Sequence, residues 1–258
     1  MRALEQDENP TQPILGPADA QRLRDHGPRY TETPQDPYAR NAPVIAEPWN
    51  AVTAALFILI VLFWAWRLRG RYRNYPFLTA CMPILLAGGI GGTLYHATRL
   101  SVVFFLLDVV PISLLGLAGS IYMAVRYWGR RSVWYIPALG AFYVLIQLLL
   151  FQTVLPNHLR INLSYASLAV VVLAPIVLVL IRTHFRHAGW VAAAFISFVI
   201  AWFFRLADQE IGSYLPMGSH WLWHTFGAAS TALIIEYFYY VEGERTGARA
   251  AMQATAAR

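Results

Sequence analysis

Beyond residue 50 the chain is an almost unbroken series of apolar runs separated by short polar or basic connections. Seven runs stand out, at about 48–67, 76–98, 102–126, 133–155, 160–182, 188–206 and 217–241. A helix of about 20 predominantly apolar residues crosses the hydrocarbon core of a bilayer. The pattern therefore predicts an all-α, polytopic membrane protein with seven transmembrane helices. Residues 1–46 read as a polar N-terminal arm, largely irregular because it is rich in proline, aspartate and arginine. Residues 47–242 form the transmembrane domain and 243–258 a short tail. No apolar segment opens the arm, so no cleavable signal peptide is expected.

Composition agrees with this division. The chain is 57% hydrophobic and only 13% charged, well below the charged fraction of a soluble domain. The net charge of +6 does not indicate a nucleic-acid partner, because the arginines sit in short loops between apolar runs. Arg67, Arg69, Arg71 and Arg73 follow the first run, Arg126, Arg130 and Arg131 the third, and Arg182 and Arg186 the fifth. The alternate loops hold Arg99, Arg160, and Arg205 beside Asp208 and Glu210. The positive-inside rule then puts the N-terminus outside and the C-terminus in the cytoplasm. The single cysteine, Cys81, excludes an internal disulfide and a zinc knuckle.

Against this apolar background a few polar residues carry chemistry. His220 and His224 are four apart at the start of the last run and share one helix face. His96 closes the second run and Asp108 lies in the first turns of the third. With the orientation above and 1.5 Å rise per residue, all four fall in about the outer third of the membrane. Ionisable residues at such depth mark functional sites. Three neutral imidazoles with an open fourth position form a recurring catalytic zinc arrangement. Zinc lowers the pKa of bound water toward about 7, and Asp108 is placed to accept its proton. Two histidines at this spacing can also be interfacial polar residues, and Asp108 can be a structural acid paired with Arg99 or Arg205. The common depth of the four favours the metal site.

The remaining histidines fit other roles. His26 lies in the arm, His158 in an outer turn, and His184 and His187 in a basic inner loop suited to lipid headgroups. Trp221 and Trp223 are expected to face away from the metal side, and Glu236 to pair with inner arginines.

The segments IAEPWNAVTAALF (45–57), GGTLYHAT (91–98), LLDVVP (106–111) and HWLWH (220–224) resemble, in order and spacing, motifs of the alkaline ceramidases. These belong to a seven-helix zinc hydrolase superfamily that also includes adiponectin-type receptors and lipid-remodelling enzymes. The resemblance implies a zinc amidase that cleaves ceramide, or a related N-acyl lipid, to a sphingoid base and a fatty acid. It implies zinc ligands at His96, His220 and His224 and a water-contacting carboxylate at Asp108, although this chain has one extra residue between His96 and Asp108. The family's serine four residues before its first zinc histidine is replaced here by Gly92. Thr93 is the nearest hydroxyl to take over its oxyanion role, with Thr98 and Ser219 as substitutes. The family's acid-rich calcium stretch is reduced to Glu32 and Asp36 upstream of Glu47 and Asn50. Calcium takes six to eight oxygens, so the resemblance implies at most a weak Ca2+ site at Asp36 and Glu47. Glu47 reads equally well as an acid favoured by a helix N-terminus.

The expected partners are the bilayer and a lipid substrate. The expected compartment is a bacterial inner membrane, or an endoplasmic reticulum or Golgi membrane with the same topology. A receptor-like protein with weak or different hydrolase activity is the main rival. A b-type haem protein is disfavoured because two histidines four apart cannot ligate opposite faces of one haem. A proton-coupled transporter is disfavoured because the inner halves of the fourth and fifth runs carry few polar residues.

Overall fold

The computed structural model describes residues 27–36, 39 and 42–256. Among them are nine α-helices and no strand: α1 (Pro48–Ala54), α2 (Leu56–Arg67), α3 (Pro76–Thr98), α4 (Val102–Trp128), α5 (Ser132–Gln152), α6 (Asn157–Arg182), α7 (Ala188–Leu206), α8 (Asp208–Ile211) and α9 (His220–Ala256). His26 and the rest of the first 26 residues lie outside the described residues, as does the His158 side chain.

The helices follow the apolar runs closely, with two differences. The first run is two helices meeting at Ala55, whose backbone stays right-handed helical (φ −65°, ψ −14°). The last run does not end near 241: α9 continues to Ala256, so the expected tail is helical through that residue. Five stretches are long and apolar enough to cross a membrane: Pro48–Arg67, Pro76–Thr98, Val102–Gln152, Asn162–Arg182 and Ala188–Leu206. Val102–Gln152, at 51 residues, holds both α4 and α5, which run on through a single 3-10 turn at Gly129–Arg131. α9, with His220, His224, Glu236 and Glu242 along it, is not in this group.

Lipid tails are as apolar as leucine, so helices embedded in them associate through close packing rather than through water exclusion. Glycines on α3 provide that closeness. A Cβ added to Gly91 would collide with Leu107 of α4, and one added to Gly88 would lie 3.1 Å from Pro111 Cβ. Gly89 faces α2, where an added Cβ would meet the Ile58 nitrogen at 3.0 Å. α4 in turn packs on α6, and α7 on α9. The half of the bundle away from His96 is filled around Trp64, Leu68, Met123, Ile176 and Tyr237.

Helix N-termini carry unsatisfied N–H groups and attract carboxylates. Here three of those carboxylates come from distant parts of the chain. Glu32 of the arm accepts from the N–H groups of Trp49 (2.7 Å) and Asn50 (3.0 Å) at the start of α1. Asp208 accepts from Ser219 (2.7 Å) and His220 (2.9 Å) at the start of α9. Glu242 accepts from Phe77 (2.8 Å) and Leu78 (3.2 Å) at the start of α3. The described part of the arm has no helix and is fastened to the bundle through Glu32, Thr31 and Thr33. At the end away from His96, Glu236 forms the expected arginine pair, taking both terminal guanidinium nitrogens of Arg67. His187 is bound within the protein: it lies 3.0 Å from Glu244 and stacks on Tyr240.

Replacing Gly91 by alanine is expected to overpack the α3–α4 contact and cost about 1–3 kcal/mol. This is measurable as a lowered melting temperature in detergent. The same change at Gly140, whose Cβ would meet nothing within 4 Å, is expected to leave the melting temperature unlowered.

Candidate metal centre

The last turn of α3 and the first two turns of α9 bring three imidazoles together. Ring centroids of His96, His220 and His224 are 5.4 Å (His96–His220), 4.7 Å (His96–His224) and 4.8 Å (His220–His224) apart. All three residues are buried, and one nitrogen from each ring lies within 4.8 Å of the others. His96 Nε2, His220 Nδ1 and His224 Nε2 are buried without a hydrogen-bond partner. A buried polar atom left unsatisfied costs about 1–3 kcal/mol, and three side by side form a donor set suited to a cation. Tetrahedral zinc with Zn–N bonds of about 2.0–2.1 Å has its nitrogens about 3.4 Å apart, so small side-chain rotations suffice to close the cluster. The chemistry and the geometry of the set fit a divalent metal.

Each ring is held from behind. Nδ1 of His96 lies 2.5 Å from Glu47 Oε2, which fixes the tautomer and leaves Nε2 for a metal. His220 opens α9, its backbone N–H bound by Asp208, and its ring stacks against Tyr30 of the arm at 3.6 Å and 18°. His224 follows one turn later on the same face.

Glu47, His96 and Arg99 all have side chains with 0% exposure. A carboxylate in such a place must be paired and hydrogen-bonded. Glu47 Oε1 accepts from Thr33 Oγ1 (2.5 Å) and Arg99 Nη1 (2.7 Å), and Oε2 from Asn50 Nδ2 (3.1 Å) beside its contact with His96. Burial pushes its carboxyl upward, but the hydrogen bond and charge of His96, the charge of Arg99 and the Thr33 hydroxyl together hold it below its ordinary value. Arg99 ends α3 in the left-handed conformation (φ 51°) usually given to glycine at a helix C-terminus. Its second nitrogen, Nη2, donates to Pro28 O of the arm at 3.0 Å. The backbone closes the same junction: Ala46 and Glu47 N–H groups bind the Ala97 (2.8 Å) and His96 (3.0 Å) carbonyls. The calcium reading of Asp36 and Glu47 meets this arrangement. All four contacts of the Glu47 carboxylate are to protein groups, its cation is the Arg99 guanidinium, and Asp36 lies exposed in the arm.

A cavity of about 300 Å³ begins beside the imidazoles and runs down the bundle. Asp108, His224, Tyr30 and Arg205 line its upper end, and Phe77, Leu78 and Phe238 its lower end. The extra residue between His96 and Asp108 therefore leaves Asp108 at the site. Asp108 stands close over position 92: a Cβ on Gly92 would lie 2.5 Å from Asp108 Oδ1. Thr93 does not take over the serine's role. It is absent from the cavity wall, and its hydroxyl donates to Gly89 O at 2.7 Å. Thr98 and Ser219 are committed in the same way, to Leu94 O and Phe204 O, each at 2.7 Å. Trp221 packs against Trp49, but Trp223 lines the cavity next to His224 rather than facing away from it.

The sequence alone did not point to three participants. Arg205 was visible as a charge near the end of an apolar run. Asp208 was visible as an acid beside it, without its capping role. Tyr30 gave no signal, being one aromatic residue in a polar arm.

Glu47→Gln keeps the shape of the side chain but removes its charge, so metal affinity is expected to fall about 10–100-fold, as read by competition with a chromophoric chelator. Glu47→Ala takes the shared acceptor away from Thr33, Asn50, His96 and Arg99 at once and is expected to destabilise the fold by about 3–5 kcal/mol, as read by thermal unfolding. The chain matches no protein-family model and no curated protein.

Proposed function

We propose that this protein is a membrane-embedded, zinc-dependent amidase that hydrolyses ceramide or a related N-acyl lipid to a sphingoid base and a fatty acid. The observation that carries the reading is the set of three buried imidazoles with unpartnered nitrogens, one of which, His224, lines the polar end of a mostly apolar cavity. The choice of ceramide rests on the resemblance of the four motifs to the alkaline ceramidases. We further infer seven membrane crossings, with α4 and α5 making two and α9 the seventh, its polar residues turned into the bundle. The arginine-rich loops orient the N-terminus outward, which puts the site near the outer leaflet.

His96, His220 and His224 hold the metal, and Glu47 fixes the His96 ring. A zinc ion bound there supplies Lewis acidity, polarising the amide carbonyl and acidifying water. Asp108 accepts the water's proton and returns it to the departing nitrogen. The cavity takes the lipid chain. From His224 to Phe238, both in its wall, α9 rises about 21 Å, a depth suited to one long acyl chain. The apolar wall also keeps bulk water from the polar end.

A second reading has an observation in its favour. The commitment of the Thr93, Thr98 and Ser219 hydroxyls to helix carbonyls suits a receptor-like or lipid-remodelling protein of the same architecture with little amidase activity. Release of fatty acid from ceramide by the purified protein separates the two. The amidase reading expects one zinc per chain, turnover abolished in His96→Ala, and zinc lost in His220→Ala. It also expects turnover to survive a calcium-selective chelator, because the buried Glu47 is neutralised by Arg99. Zinc-loaded protein that releases no fatty acid from any N-acyl lipid would favour the receptor-like reading.

A further inference from the structure

When water adds to an amide carbon, the carbonyl oxygen gains negative charge, and a donor aimed at that oxygen is among the largest contributions an enzyme makes. The hydroxyls singled out from the sequence are all committed to helix carbonyls. Gly92 offers no side chain, and Asp108 occupies the space where one would begin. Two further polar groups stand in the cavity wall at the level of the imidazoles: Tyr30 and Arg205.

Their arrangement assigns the donor. The Tyr30 ring lies over His220 at 3.6 Å and 5.5 Å from His96. The Arg205 guanidinium stands with Tyr30 in the wall of the same cavity. A guanidinium can only donate, so Arg205 can serve the phenolic oxygen but cannot take the phenolic proton, which is left for another acceptor. Arg205 is itself fixed: Nε donates to Asn162 Oδ1 at 3.2 Å, and the guanidinium lies over the rings of Tyr165 (5.1 Å) and Trp223 (5.2 Å). Tyr165, the other phenol of the wall, has its ring contact with Trp223 at 5.4 Å.

Tyr30 is also anchored on both sides. Its N–H donates to Thr33 Oγ1 at 2.9 Å. Before it, Pro28 O accepts from Arg99, and after it Thr31 donates from N (2.8 Å) and Oγ1 (3.1 Å) to Asp208 Oδ2. The arm thus ties the Tyr30 phenol to the same two residues, Arg99 and Asp208, that brace the His96 junction and the start of α9.

We propose that Tyr30 is a catalytic residue whose hydroxyl donates a hydrogen bond to the carbonyl oxygen of the scissile amide, with Arg205 as the positioning residue behind it. The assignment rests on the amidase reading above. The water oxygen bonds to the carbonyl carbon while one of its protons passes to Asp108. The carbonyl π pair moves onto the oxygen that Tyr30 holds. The pair then returns, the C–N bond breaks, and the proton on Asp108 goes to the leaving nitrogen, giving acid and amine. Tyr30 keeps its own proton throughout. The arm is thereby part of the active site, and the hydroxyl excluded at position 92 is supplied from a different part of the chain.

The test uses the full-length protein loaded with zinc. Tyr30→Phe keeps the ring over His220 and all the backbone contacts of the arm. It is expected to lower kcat about 100–1000-fold, with KM and zinc content unchanged. Arg205→Gln is expected to lower kcat by a smaller factor and to have little further effect in the Tyr30→Phe background, because it acts through the lost hydroxyl. A Tyr30→Phe variant with wild-type kcat would overturn the role of Tyr30, as would loss of zinc in step with turnover, which would make the residue a cover for His220. Fully additive effects would overturn the role of Arg205. If zinc-loaded wild type itself releases no fatty acid, the amidase reading fails and the role of Tyr30 falls with it. Wild-type turnover with an unimpaired Tyr30→Phe variant refutes the further assignment alone.

Discussion

One buried anion organises the upper end of this protein. The Glu47 carboxylate receives Thr33 from the arm, Asn50 from α1, and His96 and Arg99 from the end of α3. Removing a carboxylate from water costs several kcal/mol unless it is paired and its lone pairs are filled, so these four residues must meet for the charge to be tolerated. Their meeting fixes where the chain enters the bundle and which nitrogen of His96 faces the site. The αL backbone at Arg99 belongs to the same requirement, because the guanidinium has to turn back onto Glu47 past the helix it terminates.

The same logic recurs at the helix starts. In apolar surroundings unsatisfied N–H groups have no water to turn to, and Glu32, Asp208 and Glu242 satisfy them from 11 to 165 residues away. The Asp208 cap has the most direct bearing on chemistry. It holds the first turn of α9, which carries His220, and it also grips Thr31, the neighbour of Tyr30. Positions of a ligand and of an arm residue are therefore set by a single side chain.

Steric and polar demands also meet on α3. Its glycines admit α4 so closely that Asp108 stands where a side chain at Gly92 would begin. Close packing thus determines which residues can supply a hydroxyl to the cavity. The charged groups of the cavity wall, Asp108 and Arg205, stand with His224 and Tyr30 at one end, and its lower reaches are walled mainly by aromatic and aliphatic side chains from the bundle interior.

The sequence by itself determined the helices and the identity of the three imidazoles that cluster. These rest on local signals: the length of an apolar run, the four-residue spacing of His220 and His224, and the position of His96 at the end of its run. Glu47 was also visible, but as a helix-terminal acid or calcium ligand, because nothing local indicates that Arg99, 52 residues later, returns to neutralise it. The spacing of Thr93 from His96 points its hydroxyl toward the site, yet a threonine within a helix commonly donates to the carbonyl one turn back, and this one does. The placement of Trp223 in the cavity, the caps, and the descent of Tyr30 onto His220 were decided by tertiary structure alone. Each is a contact between segments far apart in the chain, made because buried charges and unpaired N–H groups must find partners wherever the fold offers them.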